Sequence, residues 1–343
     1  MNRFRSSCPQ CSCLFLPIFL SSMFLSSVFS HSLFTTGDLR FTISPAVLNL
    51  EQLAQLFETH RDAIRARVKE FSIGGRYFAF NTRPAIMGVI NLSSDSWYRE
   101  SVCRTADSAI QRGQVLRAQG ADIVDIGAES TLAHAERVAD AAQNSKLLPA
   151  IQGLRATGIL VSVETYHPSV ARVCLEAGAN ILNLTGTDGG DELFHIVADH
   201  DAAVIICHVQ GKNVREVGDF DLSADPIEKM REHFARQIEI AQRNRVERIF
   251  LDPGLGFYYR NLQDSAVRVR HQMNVFLKTF RLRTLGFPIC HALPHAFEYF
   301  GEEVRCAEPF FCVLAALGKT DLFRTHEVPR IKAVLETMKI YDL

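Results

Sequence analysis

Short apolar runs alternate with longer amphipathic segments along most of the chain, from about Pro84 onward. The runs are rich in aliphatic and β-branched residues, which is typical of strands buried on both faces. In the segments between them, such as Thr105–Ala118 and Pro226–Asn244, apolar residues recur at threes and fours, as on one face of a helix. The pattern predicts eight strands: Ala85–Leu92, Asp122–Gly127, Ile159–Thr165, Ile181–Gly186, Ala203–Val209, Glu247–Pro253, Phe287–Leu293 and Asp321–Val328.

The order of these elements indicates the fold class. Several helical segments end at a glycine shortly before the next strand, as helix C-termini often do: Gly120, Gly158 and Gly178. Eight strand–helix units in roughly 250 residues match the size and order of a TIM barrel. A doubly wound open sheet is the alternative, but no G-x-G-x-x-G follows the first strand. We therefore predict an α/β protein with a TIM (β/α)8 barrel over residues 84–335.

The residues before the barrel differ in character. Residues 1–36 have a basic start and an apolar, serine-rich run from Leu14 to Phe29, which has the shape of a signal peptide. An organelle-type leader and a start codon placed too far upstream are the alternatives, and we favour the last. Residues 37–83 are expected to add a helix over about 49–71 and a hairpin at Gly74-Gly75. A helix end followed by a single strand is the other interpretation.

The composition and net charge of the chain bear on whether it binds nucleic acid, a membrane or a second copy of itself. The 343 residues are 47% hydrophobic with a net charge of −1, which suits a globular protein and argues against a general nucleic-acid binder. The Leu14–Phe29 run is short and broken by serines, so we expect no membrane partner for the barrel. A homodimer is left open. Six scattered cysteines favour reduced, buried thiols in the cytoplasm: Cys103, Cys174, Cys207, Cys290, Cys306 and Cys312.

Polar residues stand where the predicted strands end. One such residue is usually a satisfied polar group at the start of a loop. A polar residue at every strand end is hard to explain by packing, because in a barrel these ends converge on one mouth. The candidates are Asn91, Asp125, Glu164, Asn183, His208, Asp252, His291 with His295, and Arg324 with His326.

The end of the sixth strand has the most specific form, with Asp252 followed by Pro253, Gly254 and, two residues later, Gly256. Glycines let a backbone turn sharply and approach a ligand closely. A Pro-Gly turn alone is more often plain topology. The repetition of polar strand ends along the chain is what favours a binding site here.

The candidates fall into two chemical groups. Glu164, Asn183 and Asp252 suit a flat heterocycle with N–H donors, because carboxylates accept paired N–H groups. A second group suits an anion accompanied by a divalent metal, since Mg²⁺ prefers oxygen ligands and phosphate partners. Its members are Asn91, Thr131, Arg324 and His326.

Several motifs together resemble the pterin-binding barrel family, and within it the dihydropteroate synthases. They fall in the family's order and cover about residues 84–330. Asn183 is joined by six segments: Ile86–Leu92 with Asp95-Ser96, Gly120–Thr131, Val161–Tyr166, His208–Gly211, Asp252–Phe257 and Arg324–Val328.

The resemblance implies an activity in folate biosynthesis, in which a pterin methyl pyrophosphate is joined to p-aminobenzoate and pyrophosphate is released. It implies a pterin held by Glu164, Asn183 and Asp252, with Asp252, Arg324 and His326 as the catalytic residues. It also implies Mg²⁺ as the cofactor, with Asn91 as a metal ligand. The remaining substrate contacts are expected from Thr131, His208, His291 and His295.

Three departures from the family pattern set this chain apart. Glu164 stands where the family has Asp, and Leu132-Ala133 stand where it has Arg-Pro. The family's Ser-Arg-Lys after the seventh strand is replaced by Leu293-Pro294-His295. The p-aminobenzoate side is therefore expected to be rebuilt, and His291 or His295 could replace the lost cation only when protonated.

Other functions are considered on the same residues. Methyl transfer from a reduced folate needs no pyrophosphate site, so Arg324 and His326 count against it. A pterin or folate binder without catalysis is a further alternative. A metal-dependent hydrolase would use His208, His291, His295 and His326, but no His-x-His pair ends the first strand. Histidines that only hydrogen-bond inside the mouth are as good an explanation as any ligand role.

Overall fold

A computed structural model gives the structure of the chain and describes residues 47–341 with a few gaps. The gaps are Ser94, Trp97 and the segments 131–134, 187–189, 220–224, 257–258 and 260–261. The leader-like residues 1–36 and the candidate Thr131 therefore lie outside the described residues.

Helix α1 (Leu50–Thr59) begins at Asn49, whose side chain accepts a hydrogen bond from the backbone N–H of Gln52 at 3.0 Å. The helix is shorter than the predicted span of 49–71. Beyond it lies only a short 3-10 turn at Ala63–Arg65, because later backbone groups bind elsewhere. For example, the Val68 N–H donates to Asn81 Oδ1 at 3.0 Å.

The predicted hairpin is confirmed. Strand β1 (Phe71–Ile73) pairs antiparallel with β2 (Arg76–Phe78). Gly74 and Gly75 form the turn with φ angles of +54° and +83°. Two consecutive positive φ angles are what a two-residue hairpin turn needs, and glycine adopts them without a steric penalty.

The eight remaining strands form one parallel sheet, as predicted. In this sheet the order is β8-β7-β6-β5-β4-β3-β10-β9, and a bridge between Leu251 and Ile289 brings the two ends together. The result is a nearly closed barrel. Its strands are β3 (Ala85–Asn91), β4 (Ile123–Gly127), β5 (Leu160–Glu164), β6 (Ile181–Leu184), β7 (Ala203–Cys207), β8 (Ile249–Asp252), β9 (Cys290–Ala292) and β10 (Leu322–Thr325).

Helices cover the outside of the barrel, in the alternation that the apolar periodicity predicts. Their ends follow local chemistry: Thr105 caps α2 and Gly120 ends it with a φ of +115°. Further 3-10 turns lie at Arg99–Ser101, Thr279–Leu285 and Gly301–Cys306. The helices are α2 (Ala106–Gln119), α3 (Asp140–Ala156), α4 (Pro168–Glu176), α5 (Gly190–Asp199), α6 (Pro226–Arg243), α7 (Ser265–Lys278), α8 (Phe297–Phe300), α9 (Ala307–Leu317) and α10 (Val328–Ile340).

The amino ends of the strands are closed by the hairpin and the residues that follow it. Phe78 and Phe80 belong to the same buried cluster as Met87, Leu160 and Phe250, which point into the barrel. The rings of Phe80 and Phe250 meet edge to face, with centroids 5.3 Å apart. This apolar closure leaves the carboxyl ends of the strands as the mouth.

Two buried acids fasten the same end of the barrel. Asp122 accepts from the Ile86 N–H at 3.0 Å and pairs with Arg76. Asp321 accepts from the Ile289 N–H at 2.8 Å and pairs with Arg283. Each acid therefore links neighbouring strands at the point where they enter the sheet.

The six scattered cysteines are free, but not all of them are buried as the sequence predicts. Cys103, Cys174, Cys207, Cys290 and Cys312 are buried and unpaired, while Cys306 is unpaired and partly exposed. Among the described residues, no helix combines the length and the apolar character that crossing a membrane requires.

Candidate active site

A cleft opens at the carboxyl ends of the strands, where the barrel fold places ligand-binding groups. It is lined by seven of the residues that the sequence predicts: Asn91, Glu164, Asn183, Asp252, His295, Arg324 and His326. Glu129 and Ser130 contribute from the loop after β4, and Ala292, Leu293 and Pro294 from the end of β9.

The floor of the cleft is a network of charged groups around Arg324. Its Nε donates to Asp125 Oδ2 at 2.7 Å, and its Nη2 donates to the Glu164 carboxylate. Asn183 Nδ2 donates to the same Asp125 oxygen at 3.1 Å. Glu164 and Asn183 are direct neighbours in the register of β5 and β6, which explains why their side chains share one level of the barrel.

Asp125 is one of the strand-end candidates, but the sequence assigns it no specific role. Its side chain is fully buried, and it orients both Arg324 and Asn183. The sequence offers one signal for it, an acid inside an otherwise apolar strand. Such an acid needs a charged or hydrogen-bonding partner in the fold.

Asp252 lies at the end of β8 with its carboxylate held in place by the turn. Oδ1 accepts from the Gly254 N–H at 2.8 Å, and Gly254 has a φ of +72° that favours glycine. Burial raises the pKa of Asp252 to about 6, although the Gly254 N–H and Arg324 act in the opposite direction. A buried acid without full compensation is typical of a position that meets a ligand.

Glu164 is also a buried acid whose pKa is raised. Burial raises its pKa to about 7; Asp125 and Asp252 add to the rise, and Arg324 opposes it. The floor thus joins three carboxyl groups, one amide and one guanidinium. In chemical terms it offers several acceptors to a planar ligand that presents N–H donors.

His326 stands at the side of the cleft, on the residue that follows Thr325 of β10. Its Nδ1 lies 2.9 Å from Glu308 Oε1, and its ring stacks on that of Tyr98 with centroids 4.5 Å apart. Glu308 was not among the predicted residues. Its signal in the sequence is a single acid within the otherwise apolar run of α9.

His295 also lines the cleft, where it is partly buried. Burial lowers the pKa of His295 to about 3, and the charges of His326 and Arg268 lower it further. Its ring packs against Phe297 with centroids 4.5 Å apart. The imidazole is therefore neutral at physiological pH, which counts against the expectation that His295 replaces the family's lost cation.

His291 lies outside the cleft, contrary to the expectation of a substrate contact. Side chains alternate along β9, so that Cys290 belongs to the barrel core and Ala292 to the cleft, while His291 faces the helices. Its Nε2 is 2.8 Å from Thr279 Oγ1, and its ring packs on Phe276.

His208 also lies behind the cleft rather than in it. Its ring meets that of His233 edge to face, with centroids 5.1 Å apart. Burial lowers the pKa of His208 to about 3, and the charges of His233 and His271 act in the same direction. Neither His208 nor His291 is among the residues that line the cleft.

Asn91 lies where the sequence predicts a metal ligand. Its amide nitrogen donates to Ser101 Oγ at 2.6 Å, which directs the donor side of the amide to the protein. Within the described residues, no three or more His, Cys, Asp or Glu side chains are grouped so as to hold a metal ion. Any Mg²⁺ here would have to take most of its ligands from a phosphate and from water, which is a common arrangement for this ion.

The loops around the mouth are tied together by Glu129. This carboxylate accepts from Tyr166 Oη at 2.8 Å and from the Val138 N–H at 2.9 Å, and it pairs with Arg215 at 3.2 Å. Burial opposes ionisation, but hydrogen bonds from His167, Val138 and Tyr166 prevail and lower the pKa of Glu129 to about 2. The Glu129 carboxylate therefore links the loops that follow β4, β5 and β7.

Comparison with known proteins agrees with this geometry. A model of the family described as pterin binding enzyme matches residues 87–290. The chain is 29% identical over 282 residues to a dihydropteroate synthase from Synechocystis, covering 79% of this chain and 93% of that protein. It is 30% identical to a probable bifunctional folylpolyglutamate synthase/dihydropteroate synthase from Halobacterium salinarum, covering 72% of this chain and 30% of that longer protein.

A solved structure also shows similarity to a dihydropteroate synthase. The dihydropteroate synthase of Xanthomonas albilineans, determined with 4-aminobenzoic acid, superimposes with a TM-score of 0.66 at 26% identity. The match covers 80% of this chain and 99% of the other.

The barrel and the acid-lined cleft define an enzyme of the pterin-binding class, and the chain belongs to the pterin-binding enzyme family. Within that family it is of the dihydropteroate synthase type. The resemblance that the motifs indicate is thereby confirmed.

Proposed function

We propose that this chain is a dihydropteroate synthase-type transferase of folate biosynthesis that acts on a pterin methyl pyrophosphate. The observation that carries the proposal is the acceptor-rich floor of the cleft, where Glu164, Asn183 and Asp252 meet beside His326 and Arg324. A pterin presents an amino group and ring N–H groups on one edge. The two carboxylates and the Asn183 oxygen can accept these donors.

Arg324 forms ion pairs with the acids at the floor of the cleft. Asp125 accepts from its Nε and Glu164 from its Nη2, and these two bonds hold the guanidinium at the floor of the cleft. A guanidinium carries five N–H donors, so these two bonds leave further donors that can meet a ligand oxygen. In the proposal Arg324 both neutralises the pterin-binding acids and contributes charge toward the pyrophosphate.

The leaving pyrophosphate is assigned to the side of the cleft formed by Asn91 and His326. The oxygen of Asn91 is the protein atom suited to Mg²⁺, which when bound neutralises charge on a pyrophosphate. The chain's own part is to hold the pterin in line with this anion site and to stabilise the charge that develops as pyrophosphate leaves. Thr131 is likewise proposed to bind the pyrophosphate.

We assign the second substrate to the side of the cleft at the end of β9, which Arg324 does not form and where the described lining residues carry no charge. Leu293, Pro294 and a neutral His295 stand there. The carboxylate of p-aminobenzoate would lack the charge-assisted bonds that hold such groups best. We therefore infer that the amine used here is not held through a carboxylate in the family's usual way.

A binding assay with pterin methyl pyrophosphate, with and without Mg²⁺, tests the proposal. We expect saturable binding that Mg²⁺ strengthens and that free pterin competes away. Binding of a reduced folate with no response to pyrophosphate or Mg²⁺ would favour methyl transfer instead. We further propose a cytoplasmic location, because six scattered cysteines without a CxxC pair among them are typical of that compartment. Whether the chain forms a homodimer is left open, and analytical ultracentrifugation decides it.

A further inference from the structure

Glu308 is a buried acid that the proposed reaction does not yet use. It lies in the first turn of α9, a helix whose remaining residues are apolar or small, and only 2% of the residue is exposed. An ionised carboxylate in such a place is costly unless several donors meet it. Its position therefore needs an explanation beyond packing.

Three donors converge on this carboxylate. The imidazole Nδ1 of His326 lies 2.9 Å from Oε1, and the backbone N–H of His326 donates to Oε2 at 3.1 Å. The hydroxyl of Thr325 donates to Oε2 as well. Glu308 thus binds both the main chain and the ring of His326, which fixes where the ring starts and how it is turned.

The contact also decides which ring nitrogen carries the proton. Nδ1 must be protonated to donate to the carboxylate, so a neutral His326 is the Nδ1–H tautomer. Nε2 is then the nitrogen through which the ring acts on a group in the cleft. A doubly protonated ring would donate to Glu308 through Nδ1 and to a phosphate oxygen through Nε2.

The plane of the ring is held from a second side. Tyr98 stacks on His326 with 18° between the ring planes, and the Tyr98 hydroxyl donates to the carboxylate of Glu327. Glu327 is itself paired with Arg330 at 3.2 Å. One carboxylate and one aromatic face together leave the imidazole little freedom to rotate.

We propose that Glu308 is a positioning residue that holds the proton on Nδ1 and the orientation of His326, so that Nε2, once it is protonated, donates to the leaving pyrophosphate. The assignment of His326 to pyrophosphate rests on the proposed function. The state of the imidazole does not, and it can be measured in the protein without substrate.

The test compares three variants with the natural protein. Glu308→Leu removes every acceptor, and Glu308→Gln keeps one acceptor oxygen without the charge. Thr325→Val removes the hydroxyl donor to Glu308 but leaves the imidazole contact, so it controls for a purely structural role of the carboxylate. The state of His326 is read from the ¹⁵N chemical shifts of its ring, and the affinity for inorganic pyrophosphate with Mg²⁺ is measured by calorimetry.

We expect the Nδ1–H tautomer in the natural protein, in Thr325→Val and in Glu308→Gln, and its loss in Glu308→Leu. Pyrophosphate affinity should fall at least tenfold in Glu308→Leu and by less in Glu308→Gln. An unchanged tautomer in Glu308→Leu would overturn the proposal, as would an equal loss of affinity in Thr325→Val. If Glu308→Leu does not fold, the comparison rests on the other two variants. A loss of pyrophosphate affinity in Glu308→Gln that Thr325→Val does not share would then support the proposal, and the absence of such a loss would overturn it. A tautomer change in a protein that does not bind pyrophosphate would leave Glu308 in its role and reject the proposed function instead.

Discussion

Asp252 is the residue on which binding of a pterin should depend most directly. Replacing Asp252 by Ala removes a charged acceptor from the floor of the cleft, and it removes only one local hydrogen bond, that from the Gly254 N–H. The loss of a charge-assisted hydrogen bond to a buried ligand costs about 1.5–3 kcal/mol. We expect pterin affinity to fall at least tenfold with the fold intact.

Calorimetry with a pterin and circular dichroism measure these two effects. Asp107→Ala, which changes an exposed acid on α2, is the matched control. Unchanged pterin affinity in Asp252→Ala would reject the assignment of this residue.

The acids of the floor also predict a pH dependence. The pKa values of Asp252 and Glu164 are raised to about 6 and about 7, so both groups are largely protonated at pH 5 in the free protein. A protonated carboxyl group cannot accept a pair of N–H donors as a carboxylate does. Glu164 is only half ionised at pH 7, so pterin affinity should increase from pH 5 to about pH 8 and level off above it.

Titration of a pterin into the protein at several pH values measures this effect. In Asp252→Asn the pH dependence should weaken, because one of the two acids no longer titrates. Affinity that falls as the pH rises through this range would show that the protonated acids are the forms that bind.

At the level of single residues, the sequence locates the site but not the direction of each side chain. Asp252 and Arg324 lie in the cleft as their strand ends predict. His291 follows the same rule in the sequence yet faces α7, because β9 is buried on both sides and its apolar residues do not reveal which face is inside. The partner of His326 was missed for a different reason: Glu308 comes from a helix, far from any strand end.

At the level of elements, the buried pair between Arg283 and Asp321 should be worth more than a surface ion pair. Both side chains are almost fully buried, and Asp321 also accepts from the Ile289 N–H. Replacing Arg283 by Met would leave the acid without its charged partner. Breaking a buried pair in this way costs about 3–5 kcal/mol.

We expect Arg283→Met to lower the free energy of unfolding in urea by about that amount. Arg243→Met, at an exposed position near the end of α6, should have little effect. Equal stability of the two variants would show that the pair does not fasten β9 and β10.

The elements themselves could be predicted well where local signals agree. All eight barrel strands lie within the predicted runs, and the glycines mark the hairpin and the helix ends. The helix over 49–71 was predicted too long because its apolar spacing continues past Thr59. Contacts of the backbone at residues 68 and 69 with distant parts of the fold decide the end, and such contacts are not visible in a local pattern.

At the level of the whole molecule, the rebuilt second-substrate side predicts slow condensation with p-aminobenzoate. Leu293, Pro294 and the neutral His295 offer no charge to its carboxylate. With saturating pterin pyrophosphate, we expect turnover well below the usual enzyme range of about 1 per second and above.

Steady-state kinetics with p-aminobenzoate, compared with amines that lack a carboxylate, is the measurement. Faster turnover with an uncharged amine would support the inference. A rate with p-aminobenzoate in the usual enzyme range would contradict it and would point to a cation supplied from elsewhere in the chain.

The pairing of β3 with β10 joins the first of the eight barrel strands in the chain to the last of them. During synthesis on the ribosome, β3 emerges early and stays without this neighbour until nearly the whole chain has been made. Contacts between distant parts of a chain form slowly, and strand edges without a partner can pair with other chains. A nascent chain that stops short of β10 therefore keeps an open edge on β3, and such chains should depend on chaperones and be degraded or aggregate rather than bind a pterin.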